Sequence, residues 1–215
     1  MTATPDFDPL ARIYRWLEWI TFGPCLHRCR IFYLPQMRAA RYALVMGDGD
    51  GRFTRQLLEA NPAIEVHAVD SSREMLDELL KRAGEHAARV RIEQTDARQW
   101  KPESERYDLI ATHFFLDCFT TAEVAALIAR IREATAPGAL WVISDFQIPE
   151  NTFGTFVAFP IVQFLYFGFR ILTGLRTKRL PEYEEALSAA GYTRVERKTL
   201  LGGLLFAEYR RKSKD

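Results

Sequence analysis

Residues 42–51, YALVMGDGDG, are the stretch on which the fold turns. Tyr42 to Met46 is a short apolar run without alternation, the texture of a parallel strand buried on both faces. It ends in Gly47-Asp48-Gly49-Asp50-Gly51, and Arg52 to Ala60 follows as a helical stretch stopped by Asn61-Pro62. Three alternating glycines between a strand and a helix permit positive φ and let a ligand approach the backbone with no Cβ in the way. In an open parallel sheet, ligands bind beyond the carboxyl ends of the strands, so this loop is the first candidate for a site.

Working outward, the same alternation repeats. Ile64 to Val69 reads as a strand, Ser72 to Ala83 as a helix ending at Gly84, Arg89 to Glu93 as a strand and Tyr107 to Thr112 as a strand. Thr121 to Ala134 is a helix, and Pro137-Gly138 turns into the strand Ala139 to Ser144. Strands and helices in this order imply a parallel sheet covered on both faces by right-handed crossovers. The end of the chain differs. After a helix over Pro181 to Ala190, the runs Arg194 to Leu200 and Leu204 to Arg210 flank Gly202-Gly203, a hairpin signal that adds an antiparallel final strand. Upstream, Ile13, Trp16, Leu17 and Ile20 share one helical face and Gly23-Pro24 stops it, so an amphipathic helix opens the chain.

Composition narrows the function. The 215 residues are 48% hydrophobic and 27% charged, which suits one globular domain and excludes a disordered chain. Twenty-nine basic against 28 acidic residues give a net charge of +1, with no basic stripe for nucleic acid. The charge is uneven, +3 over residues 1–42 and +4 over residues 176–215 around an acidic middle. Cys25, Cys29 and Cys118 are few and odd in number, and MTATPDFDPL lacks the pattern of a secretory signal, so a reducing cytoplasm is expected. Neither the cysteines nor the histidines show the paired spacing of a zinc site.

The glycine spacing discriminates between ligands. A dinucleotide fingerprint places its third glycine three residues after the second, and Arg52 stands there instead. Two aspartates in the loop would repel a pyrophosphate and suit a cation, and S-adenosylmethionine carries both a sulfonium and an ammonium. Asp70, 23 residues after Gly47, ends the second strand where a carboxylate can accept from both ribose hydroxyls or, alternatively, cap the next helix. Asp96 can accept from an adenine amino group, Ala97 can donate from its backbone, and Met75 can lie on the adenine face or in the core.

VMGDGDG, AVDSSREML, QTDARQW, YDLIATHFFLDCF and APGALWVISDF together resemble the class I S-adenosylmethionine-dependent methyltransferases. The resemblance implies a three-layer, Rossmann-like α/β fold with a seven-stranded mixed sheet. It divides one domain into a helical cap (1–41), a cofactor-binding core (42–150), a lid insertion (151–180) and a last helix with its hairpin (181–215). It implies S-adenosylmethionine as cofactor, held by Gly47, Asp48, Gly49, Gly51, Asp70, Ser71, Met75, Asp96, Ala97 and Thr112. Many members carry an acid two residues before the first glycine; here that position is Val45, which leaves methionine recognition to Asp48 or to Arg and Tyr groups of the cap.

Methyl transfer from a sulfonium is an in-line displacement in which positioning supplies much of the catalysis. A base is needed for a phenol, alcohol or carbon acid and not for a thiolate or a neutral amine; the candidates are His113 and Asp117 past the fourth strand, with Tyr14 and Tyr33 from the cap, and His113 is the first choice. The turn ATHFF lacks the Asn/Asp-Pro-Pro-aromatic pattern of enzymes that methylate a flipped base. Six of the 15 Phe fall between residues 153 and 169. Their charge-free run is near the lower limit for a membrane span, but Pro160, Gln163 and Arg170 weaken that reading, and a span would tear the sheet apart. The segment instead reads as an aromatic lid, with Tyr33, Asp117, Phe156, Phe159 and Tyr166 expected to contact a small, lipophilic acceptor. The tail FRILTGLRTKRLPEYEEAL resembles small-molecule methyltransferases, including those acting on quinone precursors. Arg176, Lys178 and Arg179 add an expected peripheral contact with anionic lipid. A catalytically silent cofactor-binding module and a nucleotide-binding oxidoreductase remain as alternatives.

Overall fold

The computed structural model describes residues 24–102, 106–164 and 179–214. Helix α1 (Cys25–Ile31) and a 3-10 turn at Leu34–Met37 lead into the alternating part. There follow β1 (Tyr42–Met46), α2 (Arg52–Ala60), β2 (Glu65–Asp70), α3 (Arg73–Ala83), β3 (Val90–Gln94), β4 (Tyr107–His113), α4 (Thr121–Ala134) and β5 (Thr135–Phe146). The chain closes with α5 (Glu184–Ala189), β6 (Tyr192–Leu200) and β7 (Leu205–Lys212). The seven strands form one sheet in the order β3-β2-β1-β4-β5-β7-β6, parallel from β3 to β5, with β7 antiparallel to both of its neighbours. This is the expected three-layer α/β architecture. The order reverses at β1: the chain steps out to β2 and β3, then returns to lay β4 on the other side of β1. A crevice opens there at the carboxyl ends of the strands.

Period-two alternation sends side chains into two cores. Ala43 and Val45 of β1, Leu109 and Ala111 of β4, and Leu140 and Val142 of β5 face Cys29, Phe53, Leu57 and Leu76 on one side. Leu44, Met46, Ile110, Trp141 and Ile143 face Val124, Leu127, Ile128 and Leu187 on the other. Each fully buried Val, Leu, Ile, Phe or Met side chain among them contributes about 1.5–3 kcal/mol. Thr120 and Glu123 form a reciprocal capping box at the start of α4, and Ser72 caps α3 by accepting from the Met75 amide at 3.2 Å.

β5 departs from its expected start. The strand begins at Thr135 directly after α4, and Pro137-Gly138 lies inside it as an irregularity, where Tyr107 pairs with Thr135 and Leu109 with Leu140. Gly138 takes φ 75° there, so the turn signal was a bulge within pairing rather than a boundary.

Residues 152–164 are helical, with a π-helical turn at Gly154–Ala158. Its buried positions are Gly154, Ala158 and Val162, four residues apart. Phe156 and Phe159 are 74% and 48% exposed, and Phe164 also faces outward. The expectation that Phe156 and Phe159 line an acceptor pocket is therefore corrected for the described residues: small residues form the packing stripe and the rings take the opposite face. Gly154 has no alternative, since a Cβ would collide with the Pro149 carbonyl oxygen. Among the described residues, no helix is long and apolar enough to cross a membrane. The amphipathic helix expected over 9–22, Tyr14, Tyr166, Arg176 and Lys178 lie outside the described residues.

Candidate active site

The glycine loop joins β1 to α2 with Gly47, Gly49 and Gly51 all at positive φ, 68°, 59° and 79°. At Gly51 a Cβ would meet the Leu79 backbone at 2.8 Å, so glycine there lets α3 pack against the loop. At Gly47 a Cβ would collide with the ring of Phe115, which lies over the loop from the β4 side. The Met75 sulfur approaches Gly49 from α3, 3.7 Å from where a Cβ would be.

Neither loop aspartate meets a ligand as a bare charge. Asp48 accepts the Phe53 amide at 3.2 Å and the Thr54 amide at 2.8 Å, capping α2 with both oxygens. Asp50 is paired with Arg82 at 2.7 Å and with Arg52 at 3.3 Å. The electrostatic argument that these two acids select a cation is thus corrected: one is spent on a helix dipole and the other on two guanidinium groups. Burial still pushes the Asp48 carboxyl up, against the amide hydrogen bonds and the nearby Arg30 that pull it down.

Asp70 stands at the end of β2. Its Oδ1 accepts the Ser72 amide at 2.9 Å, and its carboxylate also faces the amides of Gly49 and Ser71. Burial nevertheless raises its pKa to about 6. Both sequence-based readings meet here, because Asp70 orders the start of α3 while Ser72 supplies the cap. Ser71 lies beside it, its carbonyl accepting from Gln94 at 3.3 Å. Past β3, Asp96 accepts the Arg98 amide at 2.9 Å and pairs with its guanidinium at 3.3 Å, and the buried Ala97 has its carbonyl held by Arg130 at 2.9 Å. Thr112 is buried in β4, its hydroxyl accepting from the Trp141 indole at 3.0 Å.

His113 is placed unlike a base. It is 3% exposed and packs edge-on against Phe53, with ring centroids 4.3 Å apart. Its Nδ1 lies 3.0 Å from the Ser144 hydroxyl, which itself donates to the Cys29 carbonyl at 3.0 Å. With the hydroxyl proton so committed, the ring is the Nδ1–H tautomer. Burial, with a smaller push from Arg30, lowers its pKa to about 3. Tyr33 is likewise inside, 1% exposed and edge-on to Tyr209 of β7. Tyr209 pairs with Val142 and not with the carboxyl end of β5, so the expected acceptor contact by Tyr33 is corrected to a core position. Asp117 is buried in the 3-10 turn Leu116–Cys118 just past β4.

The carboxyl ends of the parallel strands therefore bring together the three glycines, Asp48, Asp70, Ser71, Met75, Asp96, Ala97 and Asp117. Two residues, Arg30 and Asp145, were missed by sequence reasoning. Arg30 of α1 is buried over the Phe114 ring at 5.1 Å, and its charge reaches Asp48 and His113. Phe115 covers Gly47, and Asp145 ends β5 on the same side of the sheet as Trp141. Phe114, a non-glycine residue at φ 53°, makes the sharp exit from β4 that turns Phe115 over the loop.

Residues 43–138 match the family model described as a methyltransferase domain. Among solved structures, an O-methyltransferase family protein from Burkholderia thailandensis superposes with a TM-score of 0.70 at 17% identity, covering 94% of this chain and 59% of that one. The mitomycin 7-O-methyltransferase MmcR gives 0.71 at 17% identity over 96% and 58%. The N-methyltransferase NodS from Bradyrhizobium japonicum, solved with S-adenosyl-L-homocysteine, gives 0.63 at 16% over 87% of both chains. The chain spans about 60% of the length of the O-methyltransferases it resembles. No curated protein matches the sequence. The fold is that of the class I methyltransferases. Residues 43–138 carry the likeness of a methyltransferase domain, for which S-adenosylmethionine is the expected cofactor.

The residues present fit that cofactor. The loop offers a backbone cradle free of Cβ atoms, and the Asp70 carboxylate at its rim is suited to a diol. Met75 supplies a polarizable, apolar wall for a purine.

Proposed function

We propose that the protein transfers the methyl group of S-adenosylmethionine to a small, lipophilic acceptor. One observation carries this reading: glycine cradle, diol-binding carboxylate, aromatic cover and buried acids all converge where β1 and β4 diverge. The cofactor supplies an electrophilic methyl on sulfur. Asp70 holds the ribose hydroxyls, Met75 and Ala97 flank the adenine, and Asp96, already paired with Arg98, accepts from the adenine amino group. Arg30 takes the part Val45 leaves open by pairing with the methionine carboxylate. His113, neutral and wedged under the loop, serves packing and not proton transfer. Phe115 excludes water beside the reacting carbon.

The outward rings of Phe156, Phe159 and Phe164 beside Val157 support contact with an apolar surface. Clustered exposed rings of this kind mark contact with an apolar partner. The basic residues Arg176, Lys178 and Arg179 that follow would add about 1 kcal/mol each on an anionic leaflet. The free cysteines suit a reducing cytoplasm.

Calorimetry with S-adenosylmethionine, S-adenosylhomocysteine and NAD tests the cofactor assignment, and binding of NAD alone overturns it. Labelled S-adenosylmethionine incubated with a cell lipid extract should yield a labelled product. Sedimentation with anionic vesicles at low salt should carry the protein down; failure to bind removes the membrane contact only.

A further inference from the structure

Just past β4 and at the end of β5, two carboxylates meet, Asp117 and Asp145, to which the cofactor reading above gives no part. Asp145 is 2% exposed and shares its side of the sheet with Trp141, Ile143 and Phe206. Its Oδ1 accepts the Phe146 amide at 2.8 Å, and its carboxylate also faces the amide of Asp117. Its Oδ2 is buried with no hydrogen-bond partner among the described residues. Asp117 faces the Cys118 thiol, with Sγ 3.7 Å from Oδ1.

Every packed element contributes to the surroundings. Cys118 lies on the same turn, Tyr183 precedes α5, Glu208 lies on β7, Arg197 on β6, and Arg98 reaches in from the loop after β3. The cations are committed elsewhere: Arg197 to Glu208 at 3.1 Å and to Gln147, Arg98 to Glu123 at 2.6 Å and to Asp96. Burial raises the pKa of both acids, and the charge of Asp117 raises that of Asp145 further. Leaving a buried carboxylate oxygen unpartnered is costly, and an amide or apolar residue of similar size would avoid that cost. A group with an O–H or N–H to donate would satisfy it.

We propose that Asp117 and Asp145 form the proton-accepting couple of the acceptor site, so that the methylated nucleophile is a hydroxyl. This rests on the methyl-transfer reading above. In the step, a lone pair of the acceptor oxygen forms the bond to the methyl carbon while the carbon–sulfur pair returns to sulfur. The O–H proton passes to a carboxylate oxygen of the couple, which loses it to solvent after product leaves. A thiolate or a neutral amine would need no such couple.

Infrared difference spectra of 13C-aspartate-labelled protein with S-adenosylhomocysteine bound test this without turnover. A protonated carboxyl band should persist above pH 7 and vanish in Asp145→Asn. Its absence from the unsubstituted protein overturns the proposal, as does its survival in the variant. Asp145→Asn and Asp117→Asn should each keep S-adenosylhomocysteine affinity within about threefold, which verifies folding. Each should lower labelled-methyl incorporation into the lipid extract at least about a hundredfold. In Asp117→Asn, the acid limb of the residual kcat should move to lower pH, because Asp145 no longer faces a second charge. Cofactor binding without transfer by the unsubstituted protein defeats the methyl-transfer reading and this proposal together. Transfer that is unchanged in both variants defeats this proposal alone.

Discussion

Asp70 accepts backbone amides from two sides of the crevice, yet burial lifts its carboxyl to about 6. Accepting from two ribose hydroxyls requires the ionised form, and binding a diol stabilises that form. Cofactor affinity should therefore hold above pH 7 and fall about tenfold per unit below pH 6, as calorimetric titration with S-adenosylhomocysteine across pH 5–8 will show. Asp70→Ala should weaken binding on the order of ten- to a hundredfold, with melting little changed, because charge-assisted hydrogen bonds contribute roughly 1.5–3 kcal/mol. Retained affinity would place the ribose elsewhere. Asp70 was legible because a strand-end acid at a fixed distance from a glycine loop is a pattern. Arg30 and Asp145 belong to no such pattern. Each gains its place from a contact between distant segments, Arg30 over Phe114 and Asp145 beside Asp117. His113 was legible as a position but not as a chemistry, since Phe53 and Ser144 make it a neutral core residue.

At the scale of elements, β1, α2 and α4 have the bounds that apolar runs and breakers imply, because each is stopped by glycine, Asn-Pro or a capping box. The segment after β5 shows where such reading fails. The Phe cluster reads as an aromatic lid over the acceptor, whereas among the described residues the buried positions are Gly154, Ala158 and Val162, with Phe153 and Ile161 half-buried beside them. Large rings dominate a hydrophobicity count, but close approach of helix to loop selects small residues. The two faces make opposite predictions. Gly154→Ala must push the helix off Pro149 and should destabilise the protein by about 2 kcal/mol. Phe156→Ser together with Phe159→Ser should change stability by no more than about 0.5 kcal/mol each, since both rings already face water, while reducing vesicle binding. Urea denaturation of both variants checks this, and a large loss in the Phe variant would mean that the rings pack against part of the chain.

Across the whole molecule, the crevice concentrates carboxyls that burial holds above their ordinary range: Asp48, Asp70, Asp117 and Asp145. In the unfolded chain these groups titrate near pH 3.9. Between that value and their folded pKa values the native state binds more protons than the unfolded state, so each contributes stability as pH falls, by up to about 1.4 kcal/mol per unit. His113 opposes them. Its folded pKa of about 3 means that only the unfolded state gains its proton below about pH 6.5, which costs stability at the same slope. Glu123, held down by the Thr120 amide and Arg98, and Glu184, held down by Arg210 and Arg194, lose their contribution only once pH drops below about 4.5. Asp145, lifted well above its ordinary range, and Asp70 and Asp117, lifted to about 6, together outweigh His113 on moving from pH 7.5 to 5.5. The cofactor-free protein should then be more resistant to urea at pH 5.5 than at 7.5. Saturating S-adenosylhomocysteine should flatten the rise, because the bound diol keeps Asp70 ionised and removes its proton uptake. A cofactor-free urea midpoint that is level or lower at pH 5.5 would mean that the acids of the crevice are solvated and titrate in their ordinary range.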